Sequence, residues 1–155
     1  MMTAQEDIME ISLRWMRKAD ADAVKAIQIM ADPLSPEDFL DNEINKSNSI
    51  CMVAETGGKV VGYVFYEIRP TKLKITHLAV DIAFRRKGVG RAMISKLFSK
   101  LTEKRSKLFV FVSEYGLDLQ LFLRDLGFTA VQIINGREGH SEYKFTYELK
   151  QLVIV

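Results

Sequence analysis

The residues best suited to chemistry in this chain are gathered in one short run, Arg85-Arg86-Lys87-Gly88-Val89-Gly90, followed by Arg91. Its two glycines sit where an apolar, strand-like stretch ending in Leu78-Ala79-Val80 gives way to a helical period that begins at Val89. At the entrance to a helix the first backbone N–H groups have no partner within the helix, and the aligned peptide dipoles add partial positive charge. Glycines lack a Cβ, so a bulky diphosphate can approach those amides closely. Arg85, Arg86, Lys87 and Arg91 bring further positive charge to the same place. The run is not a P-loop, which needs Gly-Lys-Ser/Thr, nor the dinucleotide fingerprint, which needs a third glycine and a later acid. Taken alone, Arg-x-x-Gly-x-Gly also fits an ordinary basic turn before a helix, so its meaning depends on the elements around it.

Those elements are legible from period and punctuation. Ile11–Met16 reads as a first strand. Ala19-Asp20-Ala21-Asp22 opens a helix carried by Val24, Ile27 and Met30 and stopped by Asp32-Pro33. Ser35-Pro36-Glu37-Asp38 predicts a second helix with a serine cap and a first-turn proline, running to about Asn45. Ile50–Glu55 and Lys59–Ile68 form a hairpin about Thr56-Gly57-Gly58, and Lys72–Val80 adds a third antiparallel strand. Val89, Met93, Leu97, Phe98 and Leu101 mark a helix, and Leu108–Val112 a strand buried on both faces. Leu117–Leu126 is helical with Gly127 as its cap; Phe128–Ile134 and Tyr143–Leu149 close the chain as strands. The order β-α-α-β-β-β-α-β-α-β-β is α+β, or mixed α/β, and excludes a doubly wound sheet.

Composition sets the outer bounds. The 155 residues are enough for one domain, read here as 11–150 between a loose leader at 1–10 and a short tail at 151–155. An apolar content of 48% and a charged content of 27% describe a soluble globular chain, and a net charge of +2 gives no bulk argument for nucleic acid. The one cysteine, Cys51, excludes a disulfide framework and a cysteine cluster for zinc, so no metal is expected and a reducing compartment fits. Glu6, Asp7 and Glu10 in the first ten residues are unlike a signal peptide, and no run of about 18 apolar residues could span a membrane. The expected location is cytoplasmic.

In this setting Arg85-Arg86-Lys87-Gly88-Val89-Gly90 resembles the Gln/Arg-x-x-Gly-x-Gly/Ala signature of the GNAT N-acetyltransferase superfamily. Leu78-Ala79-Val80 stands where that family has the end of its fourth strand, and Leu121-Phe122-Leu123-Arg124-Asp125-Leu126-Gly127-Phe128 is similar to its Leu-Tyr-x-x-x-Gly-Phe segment. The likeness covers about residues 11–150 and is nearest in look to ribosomal-protein alanine N-acetyltransferases. It implies acetyl-CoA as cofactor and a mixed, centrally splayed sheet, with the thioester lying between strands Leu73–Val80 and Leu108–Val112. It implies pantetheine contacts from main-chain groups of Leu78 and Val80, and a pyrophosphate cradle from Arg85, Arg86, Lys87, Gly88, Val89, Gly90 and Arg91. Phe122 would lie near the acetyl sulfur. The reaction implied is direct attack of a primary amine, on a peptide N-terminus, a lysine or a small molecule, upon the thioester. A lysine amine, with a pKa near ~10.4, needs a base more urgently than an α-amine at about 7.7–8.0.

The chain departs from the pattern where proton transfer is concerned. Phe122 stands where the alanine N-acetyltransferases place a tyrosine acid, Val110 where they place a glutamate base, and Tyr115 where they place an asparagine. Two substitutes are available as catalytic residues. His77 adjoins the cofactor strand and has an ordinary pKa near ~6.5, though it equally fits packing on the sheet. Tyr115, with Glu114, follows the fifth strand and either reaches the splay or is a loop residue. Tyr63, Tyr66 and Cys51 fit structural roles. The acceptor pocket is expected from Pro33–Phe39 and Asn135–Glu142; nearby Glu37, Asp38, Asp41 and Glu43 would either attract a cationic amine or complement a helix dipole. A catalytically silent acyl-CoA-binding module is the alternative, favoured by Phe122 and Val110. A nucleic-acid surface built on Lys72, Lys74, Lys100, Lys104, Arg105 and Lys107 with the turn's cations ranks below both, because these charges are scattered over strand, loop and helix. A homodimer through the last strands is compatible with the resemblance.

Overall fold

The computed structural model describes residues 9–136 and 139–150. Most of the leader and the whole of the tail lie outside them, as do residues 137 and 138 of the expected acceptor loop. The elements are β1 (Ser12–Trp15), α1 (Ala21–Ala31), α2 (Phe39–Ile44), β2 (Ser49–Thr56), β3 (Lys59–Ile68), β4 (Lys72–Val80), α3 (Val89–Phe98), β5 (Lys107–Ser113), α4 (Leu117–Asp125), β6 (Thr129–Asn135) and β7 (Ser141–Glu148). Short 3-10 turns occupy Lys18–Asp20 and Ile82–Phe84. The order is the one the sequence predicts. The seven strands form one sheet in the order β1-β2-β3-β4-β5-β7-β6, antiparallel throughout except where β4 meets β5.

Two helix boundaries differ from expectation by three residues each. α2 starts at Phe39, not at Pro36. Ser35 does not cap it: its hydroxyl donates to the Asp32 carbonyl at 2.9 Å and accepts from Gln28 Nε2 at 2.5 Å, tying the turn back to α1. A tertiary partner has taken the side chain that local rules assign to a cap. α3 also stops three residues early, although Leu101 remains buried beneath the following turn.

Different helices pack on the two faces of the sheet, α3 and α4 on one and, over the β2–β4 part of the other, α1 and α2. On one face Met52, Val64, Ile75, Leu108 and Phe145 pack against Met93, Ile94 and Leu97 of α3 and Leu123 of α4. On the other, Val53, Tyr63, Phe65 and Ala79 pack against Val24 and Ile27 of α1 and Leu40 of α2. Each such side chain contributes about 1.5–3 kcal/mol on burial, so the two layers hold the sheet rigidly in between.

That rigidity frames one deliberate gap. β4 and β5 run in parallel register only from Lys72↔Lys107 to Ile75↔Val110. A bulge then inserts Thr76 into β4, between the pairs Tyr66↔Ile75 and Phe65↔His77. Beyond it β4 stays with β3 as far as Val80, while β5 stays with β7 as far as Ser113. The two strands part, giving the mixed, centrally splayed sheet.

Candidate functional site

The cofactor side of the splay is built mainly from backbone. The Asp81 N–H donates to the Val61 carbonyl at 2.8 Å, so by strand alternation Ala79 also faces β3. Leu78 and Val80 therefore turn their amide and carbonyl groups to the opposite edge, the one β5 has left. Asp81 caps the next turn by accepting from the Ala83 N–H at 3.0 Å. The chain then passes through Arg85 in extended geometry, Arg86 at φ 62° and Gly88 at φ 87° before α3 begins. Arg86 is the one non-glycine residue at positive φ among those described. A left-handed residue with a side chain costs about 1–2 kcal/mol. Left-handed residues in such a turn are the kind from which anion nests of backbone N–H groups are built.

A cleft of about 700 Å³ opens over this turn. Leu78, Val80, Arg85, Arg86, Gly88, Val89, Gly90, Arg91 and Phe122 all line it, together with Phe84 and Ala31. Lys87 does not; its ammonium sits 5.6 Å from the Phe84 ring centroid. Two of the lining cations are already engaged. Arg85 Nε donates to the Val80 carbonyl at 3.1 Å, and Arg91 is ion-paired with Asp125 of α4. Gly90 has a second reason to be glycine: a Cβ there would stand 3.2 Å from Cζ of Phe122, whose ring lies flush against the helix entrance. The residues present thus fit a diphosphate-bearing ligand with a long amide arm: the first amides of a helix, open space at Gly88, and a strand edge alongside that β5 does not pair beyond Ile75, with Arg85 alone on the Val80 carbonyl.

The other face of the splay is built from side chains. His77 lies edge-on to Phe39, ring centroids 4.2 Å apart, and its Nε2 is 3.6 Å from Glu43 Oε1. Glu43 is only 5% exposed; its Oε1 accepts from Lys46 Nζ at 2.6 Å, and its Oε2 is buried without any hydrogen-bond partner. Burial holds the His77 pKa below the ordinary imidazole value; Glu43 opposes that shift, and Lys46 and Lys74 reinforce it. The imidazole is therefore neutral at physiological pH. Glu37, Asp38 and Asp41 are exposed, so of the four acids weighed on this stretch Glu43 alone turns inward. The signal was present in the sequence: Glu43 follows Phe39 by four residues and Leu40 by three, and so shares their buried face.

Tyr115 lies elsewhere. It is 80% exposed, its ring 6.0 Å from that of His140; neither it nor His77 lines the cleft, but His77 sits on β4 next to the lining residue Leu78. Glu114 accepts from the Ser141 N–H at 3.2 Å, joining the end of β5 to the start of β7. Val110 is buried in the core beneath α3 and α4. Tyr66 is buried and Cys51 partly so, and burial pushes the pKa of both groups up to about 12.

A parted pair of strands above an anion nest at a helix start defines a fold class that the comparisons identify. The sequence profile of the acetyltransferase (GNAT) family matches residues 9–128, and the chain belongs to that family. Solved structures agree on the fold. Ard1 from Thermoplasma volcanium superposes with a TM-score of 0.77 at 22% identity, covering 91% of this chain and 99% of that one. The ribosomal-protein-S18-alanine N-acetyltransferase from Escherichia coli gives 0.74 at 15%, over 94% and 99%. An aminoglycoside 6'-N-acetyltransferase complexed with coenzyme A gives 0.76 at 11%, over 90% and 98%. No curated protein sequence matches the chain significantly. No helix among the described residues is long and apolar enough to cross a membrane.

Proposed function

We propose that the chain is an acetyl-CoA-dependent N-acetyltransferase acting on a primary amine. The observation that carries this reading is the conjunction, within one cleft, of the Arg86–Gly88 nest and the unpaired edge of Leu78 and Val80. The amides of the nest and the start of α3 hold the diphosphate. Arg86 lines the same concavity, and Arg85 and Arg91 add charge once released from Val80 and Asp125. Main-chain groups of Leu78 and Val80 orient the pantetheine arm as an added strand would be oriented. The acetyl thioester supplies an electrophilic carbonyl and a thiolate leaving group.

Proton handling falls to the opposite face. With Glu43 Oε1 toward Nε2, the favoured tautomer of neutral His77 carries its proton there and leaves Nδ1 to take a proton from the incoming ammonium, directly or through a water, so that the neutral amine attacks. His77 is preferred to Tyr115 because it lies on the strand that borders the splay, whereas Tyr115 stands out in solvent. An α-amine, partly free at neutral pH, makes the smaller demand on such a base. Phe122 has no proton to give, which is the specific observation behind a second reading, a silent acyl-CoA-binding module. The test is release of free thiol from acetyl-CoA against peptide N-termini, lysine peptides, polyamines and amino acids. Turnover on any of them supports the enzyme; tight coenzyme A binding with no turnover on the whole panel leaves the silent module; no binding removes both.

The same reading places the protein in the cytoplasm, on the strength of its lone unpaired cysteine. It includes a homodimer along β6, an edge strand on which Val131 and Ile133 are 58% and 67% exposed. Light scattering of the native chain against Ile133→Lys tests this: a dimer converted to monomer is expected, and a monomer in both removes it.

A further inference from the structure

The sheet face that carries α1 and α2 is left bare over its second half, because these helices pack on β2, β3 and β4. There Phe109 and Phe111 of β5 meet edge to face, centroids 5.9 Å apart. Cations roof both rings. Lys144 Nζ lies 4.6 Å and Lys72 Nζ 5.4 Å from the Phe109 centroid, with the Arg69 guanidinium at 5.8 Å, and Lys74 Nζ is 5.5 Å from Phe111. Alternation places Lys107 on the same face.

This positive charge is poorly compensated. Glu67 is committed to Arg69 at 2.9 Å, and Glu43 to Lys46 at 2.6 Å. Glu142 and Glu148 of β7 share the face, yet among the described residues neither comes within ion-pair distance of Lys72, Lys74, Lys107 or Lys144. Desolvation lowers the Lys144 pKa, and Lys72, Lys107 and Arg69 lower it further, as expected of like charges held together. The cluster also runs up to the splay. Lys74 precedes the Thr76 bulge and His77 on the same strand and contributes to the depressed His77 pKa.

We propose that this face binds an acidic stretch of a polypeptide acceptor, whose amine enters the splay beside His77. The inference rests on the acyl-transfer reading and names the substrate class for it. Carboxylates supply the charge the lysines lack. A nucleic acid fits less well: Phe109 is 4% exposed beneath its cations and offers no ring for a base to stack on, and the one arginine of the cluster is held by Glu67 instead of presenting a fork to phosphate.

The test has two arms. In the first, fluorescence anisotropy measures binding of a labelled peptide rich in Asp and Glu, of its Asn/Gln counterpart, and of a single-stranded RNA of equal length, all without coenzyme A. The acidic peptide is expected to bind about tenfold tighter than the neutral one, and Lys72→Glu/Lys144→Glu to abolish the difference. The milder Lys72→Gln/Lys144→Gln should reduce it by part, with coenzyme A affinity unchanged in both variants as the check on folding. Equal binding of the two peptides, or RNA binding as tight as the acidic peptide, overturns the proposal. In the second arm, thiol release from acetyl-CoA is followed with both peptides as acceptors, and the preference is expected in KM. Selective binding without thiol release from either peptide upholds the surface and rejects its tie to acyl transfer; thiol release without preference for the acidic peptide upholds acyl transfer and rejects the surface.

Discussion

The two faces of the splay are made of different materials. On the α3 side the site is main chain: a nest of amides at Arg86–Gly88, a helix start, and the free edge of Leu78 and Val80. On the α2 side it is side chain: an imidazole, a buried carboxylate with one oxygen unpartnered, and the lysines around them. Backbone groups cannot be mutated away, only displaced, and they hold a ligand by geometry that any chain with the right glycines reproduces. Side chains are replaceable one at a time, so a family can keep its cofactor half and exchange its proton-handling half. On the proposed function that is the pattern here: the turn matches the resemblance, whereas Phe122 and Val110 stand where the resemblance implies an acid and a base.

The largest effect that would sharpen the contrast is on His77. His77→Ala should lower kcat by about 100- to 1,000-fold, within the range of general base catalysis, while coenzyme A affinity stays as it was. Glu43→Gln should cost about tenfold by the same assay, because it leaves the imidazole in place but removes the carboxylate beside Nε2. Near-native kcat for both, measured at saturating acetyl-CoA, would mean that an already neutral amine attacks unaided. Tyr115→Phe is expected to leave kcat unchanged; a loss comparable to that of His77→Ala would transfer the role.

The opposite signature is expected from the turn. Gly88→Val puts a β-branched residue at φ 87° and displaces the amides that form the nest, costing about 2 kcal/mol, or roughly 30-fold in coenzyme A affinity by calorimetry. The geometry of this turn was readable beforehand because it is local. Two glycines two residues apart, a strand before them and a helix after them lie within one window, and β4 runs over the expected Lys72–Val80. The acceptor half was not readable, because it forms only when residues distant in sequence meet. Glu43 belongs to α2 and His77 to β4, and no periodicity says that they touch. The same holds for the Arg91–Asp125 pair, which engages a cation expected for phosphate, and for Ser35, whose cap role went to Gln28.

Two buried carboxylates turn the contrast into a stability measurement. Asp20 is 7% exposed, and its oxygens accept from Arg14 at 2.7 and 2.9 Å and from the Arg17 N–H at 2.7 Å; the Arg14 guanidinium holds its pKa down at about 2. Glu43 is as deeply buried but leaves Oε2 unmatched. Asp20→Asn should cost about 2 kcal/mol of folding stability, since it strips charge-assisted bonds from a satisfied group. Glu43→Leu should be neutral or stabilising by about 1 kcal/mol, because it removes a buried carboxylate with one unpartnered oxygen and leaves its ion-pair partner Lys46, which is half exposed, to solvent. Thermal melts decide it. A loss at Glu43 as large as that at Asp20 would make Glu43 a structural residue.

The smallest effect concerns pH, where the two groups act in separate windows. His77 has a folded-state pKa below its unfolded value near ~6.5, so the unfolded chain binds the proton first. Stability is therefore unaffected above pH 6.5 and falls as pH drops through that value, until the folded imidazole is protonated as well. Asp20 behaves as a depressed carboxylate: its contribution is complete above about 3.8 and is lost as pH falls toward about 2. His77→Ala should flatten the stability profile between pH 7 and 5 and leave the acid limb below pH 4 alone. Glu43→Gln should do the reverse in the upper window. It removes the group that raises the His77 pKa, so the folded imidazole protonates later and the loss continues to lower pH. Urea midpoints at half-unit pH steps resolve this, and a Glu43→Gln profile that superposes on the native one between pH 7 and 5 would show that carboxylate and imidazole are neighbours without coupling, so that Glu43 does not set the His77 tautomer.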